Sequence, residues 1–231
     1  MKEVQFEILR RKSPESEPYL QTVTYSCSAP SETVAYALTE LSRGELSQDP
    51  VRWQCSCLQR KCGACAMVIN GRPRLACDAR LGDLGDKVTL GPLKKFPVVA
   101  DLIVDRSAMM DALLRMQVWL SEAHLPEERA ADLSYDASRC LQCGCCLEVC
   151  PNFAADGEFY GMAALAPSAR LMAALPESQK KQLFRDYRRH IYEGCGKSLA
   201  CRDICPAGID TERLLVNANA AAVWKRRFGR Q

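Results

Sequence analysis

Apolar and polar residues alternate along much of the first part of the chain, which is the pattern of strands with one buried face. The alternation covers residues 4–10 and 20–25, and the turn-rich stretch 13–18 between them predicts a hairpin. Residues 31–41 carry apolar side chains at helical spacing instead, with Ser31 as the predicted N-cap. The order strand, strand, helix is compatible with a β-grasp arrangement.

Beyond about residue 105 the spacing of the apolar residues becomes helical. Helix-favouring residues with apolar groups three and four apart occupy residues 107–120, 127–133, 176–192 and 210–225. We therefore predict an α+β protein with two domains, a β-grasp domain over residues 1–105 and an all-α domain over residues 106–231. Domains of about a hundred residues have modest cores, so a bound group would add substantially to their stability.

The unusual feature of the composition is the presence of fourteen cysteines among 231 residues. Residues 1–12 lack the apolar core and cleavage site of a secretory signal peptide, so we expect a reducing compartment, where clustered cysteines bind metal or carry out redox chemistry. No segment approaches the roughly 18 apolar residues that are needed to cross a bilayer. The net charge of +3 is too small to indicate a nucleic-acid partner.

The first group of cysteines has the spacing C-x4-C-x2-C and a fourth member further on: Cys57, Cys62, Cys65 and Cys77. This spacing is typical of plant-type ferredoxins, which hold a [2Fe–2S] cluster. Between the last two cysteines, Asn70-Gly71 is a strong hairpin signal, and a tight turn there would return Cys77 opposite Cys65.

Zinc is the alternative ligand for the same four thiolates. Zinc sites usually pair two C-x2-C units, so the spacing favours the cluster. Cys55 lies two residues before Cys57 and is not needed for the spacing. We therefore expect Cys55 to be a bystander.

The second group follows the bacterial ferredoxin pattern C-x2-C-x2-C-x3-C-P: Cys140, Cys143, Cys146, Cys150 and then Pro151. In two-cluster proteins the fourth cysteine of this run serves the other cluster, so a second run must follow. One is present downstream: Cys195, Cys201 and Cys205, followed by Pro206. Ser198 stands where a full copy would have its second cysteine.

Exchange of the fourth ligands divides these seven cysteines into two sets. The set with four thiolates predicts a [4Fe–4S] cluster: Cys140, Cys143, Cys146 and Cys205. The set with three predicts a [3Fe–4S] cluster: Cys150, Cys195 and Cys201. The alternative is a [4Fe–4S] cluster with water or Ser198 on its odd iron, but hydroxyl is a poor ligand beside thiolate. Cys27 and Cys145 are predicted to be small buried residues.

One plant-type and two bacterial-type clusters in one chain resemble the iron–sulfur subunit of succinate dehydrogenase and fumarate reductase. The similarity extends over essentially the whole length and is carried by residues 57–77, 92–105, 140–152, 157–170 and 201–210. It implies an N-terminal β-grasp plant-type ferredoxin domain and a C-terminal all-α bacterial-ferredoxin-like domain.

The resemblance also implies two partners, a flavoprotein with covalent FAD, where succinate and fumarate interconvert, and a membrane anchor that exchanges electrons with quinone. The [2Fe–2S] cluster would face the flavin, the [4Fe–4S] cluster would lie in the middle, and the [3Fe–4S] cluster would face the quinone. This chain would hold no catalytic acid or base. It would be peripheral, at the cytoplasmic face of the cell membrane.

The chain departs from the ubiquinone-using relatives, which place tryptophans after the first Cys-Pro and a histidine after the next cysteine. Those places hold residues 152–155 (Asn-Phe-Ala-Ala) and Gly196 here. This favours menaquinone-type relatives, whose anchor carries haem or holds quinone elsewhere. His124 and His190 lie in no recognisable catalytic motif, and the basic segment 224–230 is either a docking site or a solvated helix end.

Other functions remain open from the sequence alone. The chain would also suit another flavoprotein that reduces an activated double bond, because substrate choice lies in the partner. A soluble ferredoxin-like carrier would be a monomer, and a zinc-bound structural protein would be colourless. The sequence does not indicate whether succinate oxidation or fumarate reduction is the physiological direction.

Overall fold

The computed structural model describes residues 2–119 and 131–224, which form two compact units. Unit 1 contains the described residues up to Arg106 together with Cys143–Glu148, and unit 2 contains the rest. Domain limits at residues 105 and 106 stay a prediction. The sequence did not predict that the short segment 143–148 belongs to unit 1.

The elements follow one another in a strand-rich part and then a helical part. In chain order they are β1 (Lys2–Arg10), β2 (Tyr19–Cys27), α1 (Val34–Arg43), β3 (Ala66–Ile69), β4 (Arg72–Leu75), β5 (Lys87–Gly91), β6 (Val98–Ala100), β7 (Ile103–Val104), α2 (Ser107–Arg115), α3 (Ala131–Ser138), α4 (Cys145–Glu148), α5 (Gly161–Ala174), α6 (Lys180–Tyr187) and α7 (Thr211–Asn219). Single 3₁₀ turns lie at Leu81–Asp83 and Glu177–Gln179, and π-helical turns extend α6 and α7 over Arg188–Tyr192 and Ala220–Trp224.

Unit 1 is built on a five-stranded sheet with the order β2-β1-β5-β3-β4. Strand β1 is antiparallel to β2 and parallel to β5, while β3 is antiparallel to both β4 and β5. The inward positions of β1 are fully buried at Val4, Phe6 and Ile8, as the alternation predicts. The mixed sheet and α1 confirm the predicted β-grasp arrangement.

The N-cap of α1 is Thr33, so the predicted cap at Ser31 is wrong. The Thr33 hydroxyl accepts a hydrogen bond from the backbone N–H of Tyr36 at 3.2 Å. Glu32 meanwhile accepts hydrogen bonds from the N–H groups of Ser28 and Ala29, both at 3.0 Å. These bonds fold the preceding residues into a turn, so the helix begins after them.

Unit 2 is helical, in agreement with the predicted fold class. Helix α2 is shorter than the segment predicted for it, and only the last residues of the predicted helix 127–133 lie within the described part of the chain. The segment 176–192 forms three consecutive helical pieces, and α7 continues to Trp224. Buried in the core of unit 2 are Met116, Leu165, Tyr187 and Leu214. The described helices include none that has both the length and the apolar character of a membrane span.

The segment 143–148 is held in unit 1 by two features of its sequence. Glu148 accepts hydrogen bonds from the backbone N–H groups of Lys94 and Lys95, each at 3.0 Å. Gly144 has a φ of +86°, and a Cβ atom there would lie 3.3 Å from the Phe96 ring. Glycine therefore permits both the left-handed backbone and the close packing.

Candidate functional site

The predicted turn between β3 and β4 places two cysteines of the first group side by side. Asn70 and Gly71 have φ values of +49° and +74°, which is the twist of a type I′ hairpin, and the tight turn is confirmed. The Sγ atoms of Cys65 and Cys77 are 3.4 Å apart. Burial raises the pKa of the Cys65 thiol to about 12, and the nearby Cys77 adds to this.

The other two cysteines of this group lie in an exposed loop that points its N–H groups at sulfur. The backbone N–H groups of Gln59 and Lys61 donate to Cys57 Sγ at 3.3 and 3.4 Å. They lower the pKa of the Cys57 thiol to about 7, and a hydrogen bond with Cys62 acts in the same direction. The first group thus consists of one pair of thiols at residues 57 and 62 and another at residues 65 and 77.

Left-handed backbone at two residues of this loop allows its N–H groups to converge. Leu58 and Arg60 have φ values of +51° and +60°, and the N–H of Arg60 donates to Cys77 Sγ at 3.3 Å. In this loop the donors shown are three residues that precede Gly63.

The sequence did not indicate a role for Arg106, but the side chain of this residue binds the backbone of the loop. Its guanidinium donates to the carbonyl oxygens of Gly63, Ala64 and Ala66, at 3.2, 2.9 and 3.4 Å. Its Nε atom is buried and has no hydrogen-bond partner within the described residues. No local sequence pattern indicates such a contact, because it joins residues about forty positions apart.

The four cysteines predicted for [4Fe–4S] divide between the units: Cys143 and Cys146 belong to unit 1, and Cys140 and Cys205 to unit 2. In unit 1 a hydrogen bond with Cys145 lowers the pKa of the Cys143 thiol to about 7. In unit 2 the amide of Gln142 donates to Cys140 Sγ at 3.3 Å and to the Ala163 carbonyl at 2.9 Å. Each unit thus supplies polar groups directed at cysteine sulfur.

The three cysteines predicted for [3Fe–4S] all lie in unit 2 and are half-buried: Cys150, Cys195 and Cys201. Burial raises the pKa of the Cys201 thiol, the Thr211 hydroxyl opposes this, and the charges of Cys150 and Cys195 add to it. The Thr211 hydroxyl lies 3.9 Å from Cys201 Sγ. Cys150 and Cys195 therefore lie close enough to Cys201 for their charges to act on its thiol.

Ser198 occupies a backbone position that matches the second cysteine of the first bacterial run. Cys143 lies between Gln142 and Gly144, whose φ values are +50° and +86°. Ser198 likewise lies between Lys197 and Leu199, each with a φ of +55°. The second run therefore keeps the conformation of a ligand loop, with a hydroxyl where the first run has a thiol.

The residues that depart from ubiquinone-type relatives contact one another in unit 2. The Asn152 amide donates to the carbonyl of Gly194 at 2.6 Å. A Cβ atom at Gly196 would lie 3.1 Å from the same amide. His190 Nδ1 donates a hydrogen bond to the Glu158 carbonyl at 2.9 Å, and the His190 ring stacks on Tyr160. His124 and the segment 225–230 lie outside the described residues.

The cysteines outside the predicted sets differ in environment. Cys27 and Cys145 are 3% and 0% exposed, which confirms that they are buried. Cys55 is exposed. Within residues 2–119 and 131–224, no three Cys, His, Asp or Glu side chains are arranged to hold a single metal ion.

The first group fits a [2Fe–2S] cluster by its donor chemistry. Two pairs of thiols, three N–H donors to sulfur and an unpartnered buried N–H at Arg106 match a cluster that carries net negative charge together with its four thiolates. The set of Cys150, Cys195 and Cys201 fits a cluster with one corner free of thiolate, because Ser198 stands in place of a fourth cysteine.

Comparison with known proteins agrees with this description. The model of a 2Fe-2S iron-sulfur cluster binding domain matches residues 5–111, and that of a 4Fe-4S dicluster domain matches residues 136–209. A succinate dehydrogenase iron-sulfur subunit from Bacillus subtilis is 35% identical over 230 residues, which cover 90% of this chain and 88% of that chain. A fumarate reductase iron-sulfur subunit from Wolinella succinogenes is 30% identical over 216 residues, with 86% and 87% covered.

A solved structure shows the same fold. A chain of the Mycobacterium smegmatis Sdh1 complex in the apo form matches with a TM-score of 0.75 and 22% identity, covering 95% of this chain and 96% of that one. Fold and cysteines together define an iron–sulfur protein that joins a 2Fe-2S domain to a dicluster domain. The chain belongs to the family of iron–sulfur subunits of succinate dehydrogenase and fumarate reductase.

Proposed function

We propose that this chain relays electrons between a flavoprotein subunit, where succinate and fumarate interconvert, and quinone at a membrane anchor. The observation that carries the proposal is the complete set of cluster cysteines in a chain 35% identical to a succinate dehydrogenase iron-sulfur subunit. The chain would then be peripheral to the membrane and held there by the anchor, at its cytoplasmic face.

The proposed ligand sets are those predicted from the spacing. Cys57 and Cys62 would hold one iron of [2Fe–2S], and Cys65 and Cys77 the other, which matches the two pairs. The [4Fe–4S] cluster would be held by four residues: Cys140, Cys143, Cys146 and Cys205. The [3Fe–4S] cluster would be held by three: Cys150, Cys195 and Cys201.

When bound, the clusters supply one-electron carriers between the flavin and the quinone. The chain's own residues stabilise the thiolates and tune them. The N–H groups of residues 59–61 donate to sulfur, and Gln142 donates to Cys140. Hydrogen bonds to the sulfur atoms stabilise the more negative, reduced state of a cluster. They therefore raise the reduction potential of that cluster.

Menaquinone is the proposed electron partner at the anchor. The Asn152 amide occupies the space above Gly196, so a histidine side chain at position 196 would require Asn152 to move. This contact supports a quinone site built without the aromatic and histidine residues of ubiquinone-type relatives. An anchor that carries haem or holds quinone elsewhere is consistent with it.

Exchange of Cys57 and of Cys55 for serine gives a matched pair two residues apart. We expect Cys57→Ser to lower the EPR signal of the reduced [2Fe–2S] cluster about tenfold or more, because hydroxyl is a poor ligand for soft iron. Cys55→Ser should leave the signal unchanged. Equal loss in both variants would show that the cluster also needs Cys55, and it would contradict the assignment of Cys55 as a bystander.

Affinity purification of the chain from membranes tests the proposed function itself. We expect a brown complex that contains a larger subunit with covalent flavin, about nine irons per copy of this chain, and clusters that are reduced on addition of succinate. A brown complex whose clusters change redox state with a different unsaturated acid, and not with succinate, would indicate a different flavoprotein partner. A brown monomer would identify a soluble carrier, and a colourless protein would contradict the cluster assignment.

A further inference from the structure

Arg106 is a cation placed inside unit 1, among the cysteines of two different groups. Its guanidinium makes three contacts with the carbonyl oxygens of residues 63, 64 and 66, which surround Cys65. Carbonyl oxygens are neutral, so these three contacts do not compensate the positive charge of Arg106. Among the described residues, no carboxylate pairs with this guanidinium. Arginine stays protonated under such conditions, so the positive charge persists.

The charge of Arg106 acts on cysteines from both groups. Burial lowers the pKa of Arg106, while electrostatic interactions with Cys143, Cys145, Cys65 and Cys62 raise it. All of these residues belong to unit 1.

One donor of Arg106 remains available. The Nε atom is buried, yet no acceptor reaches it within the described residues. A buried N–H without a partner is destabilising, so its retention calls for an acceptor that the polypeptide does not supply. The sulfur atoms of a bound cluster are acceptors of that kind.

We propose that Arg106 is a positioning residue for the plant-type [2Fe–2S] cluster: its fixed cation raises the reduction potential of that cluster, and its carbonyl contacts fix the loop around Cys65. This inference rests on the cluster assignment of the proposed function. A unit charge within about 10 Å at an effective dielectric constant of about 20 changes an equilibrium roughly tenfold.

EPR-monitored redox titration of the purified complex tests this role. In Arg106→Gln we expect the ratio of reduced to oxidised [2Fe–2S] at a fixed potential to fall roughly tenfold, equivalent to about 59 mV for one electron. Arg106→Lys keeps the charge and should restore most of the shift. The third cluster, whose cysteines all lie in unit 2, serves as an internal reference.

Arg43→Gln is the matched control, because Arg43 is a unit 1 arginine that is exposed and pairs with Glu40 at 3.0 Å. Its loss should leave every potential unchanged, since solvent screens its charge. Unshifted potentials in Arg106→Gln, with all clusters present, would overturn the inference while leaving the proposed function intact. Loss of the clusters in Arg106→Gln but not in Arg106→Lys would support a need for the cation, whereas loss in both would overturn it. Absence of clusters from the wild type would contradict the proposed function instead.

Discussion

Replacement of Ser198 by cysteine is expected to abolish the EPR signal of an oxidised [3Fe–4S] cluster and to raise the iron content from about nine to about ten per chain. The second bacterial run lacks only a thiol at this position. Ser198 lies between two residues with left-handed backbone, as Cys143 does in the first run. A thiol at 198 would therefore start from a backbone that already suits a ligand, and a fourth iron would fill the free corner.

The functional effect should be large because cluster type sets reduction potential. We expect the reduction potential of the cluster at this site to fall by about 120 mV or more. This corresponds to a decrease of about a hundredfold in the equilibrium constant for accepting an electron. Quinone reduction by succinate should fall accordingly, while reduction of the [2Fe–2S] cluster by succinate should persist. EPR spectra of the air-oxidised complex and a quinone reductase assay would measure both effects.

Ser198→Ala separates the proposed cluster from its alternative. If the cluster has three irons, the hydroxyl is not a ligand, and the [3Fe–4S] signal of Ser198→Ala should equal that of the wild type. If the wild type shows no such signal, the cluster is [4Fe–4S]: loss of iron in Ser198→Ala would then identify the serine hydroxyl as the ligand of its fourth iron, and unchanged iron would identify water. Either result would contradict the three-iron assignment at this site.

Local signals in the sequence predicted the parts of the structure that local chemistry decides. Asn70-Gly71 is sufficient to specify a type I′ turn, and this turn brings Cys65 and Cys77 together. The alternation in β1 likewise predicted which of its side chains are buried. The spacing of the cysteines predicted an iron–sulfur protein before any tertiary contact was known.

Features that depend on residues distant in sequence could not be predicted in this way. Helix α1 has its N-cap at Thr33 and not at Ser31, because Glu32 accepts hydrogen bonds from the N–H groups of Ser28 and Ala29. A search for capping residues does not detect this competition. The place of segment 143–148 in unit 1 depends on Glu148 binding the backbone of Lys94 and Lys95, fifty-four and fifty-three positions earlier. A sequence pattern carries no information about such a pair.

Loss of the Asp101 carboxylate is expected to destabilise the protein by about 3–5 kcal/mol, because it would leave a buried arginine without its closest counter-charge. The side chains of Arg10 and Asp101 are 1% and 0% exposed, and Arg10 Nε lies 3.0 Å from Asp101 Oδ1. The same carboxylate accepts backbone N–H groups of Arg11 and Arg52, each at 2.9 Å. Asp101→Ala would therefore strand two donors as well as the charge.

Backbone conformation adds to this cost. Asp101 has a φ of +45°, in the left-handed region that aspartate and asparagine tolerate better than alanine. Asp101→Asn keeps this tolerance and the side-chain volume, so it should cost less than Asp101→Ala. A urea midpoint lower by about 1.5 M in Asp101→Ala, followed by loss of cluster absorbance, corresponds to about 3 kcal/mol for a slope of about 2 kcal/mol per M.

Asp49→Asn is the matched control, because Asp49 is a second carboxylate near Arg10, at 3.3 Å, but its side chain is 48% exposed. We expect it to cost less than about 1 kcal/mol, since solvent screens such a pair. Equal urea midpoints for Asp49→Asn and Asp101→Ala would contradict the expectation that the buried carboxylate of Asp101 stabilises the protein more than the exposed one of Asp49.

The dependence on pH gives an independent check. Burial alone would raise the pKa of Asp101, but the Arg10 guanidinium and the N–H groups of Arg52 and Arg11 outweigh it and hold the pKa below its ordinary value. The stabilisation is therefore complete above the unfolded pKa of about 3.9 and is lost as the pH falls through the lower folded value. The difference in stability between the wild type and Asp101→Asn should stay constant from about pH 6 to 7 and shrink below about pH 4. A difference that grew as the pH fell would mean that the carboxylate is protonated in the native state, contrary to its contacts with Arg10.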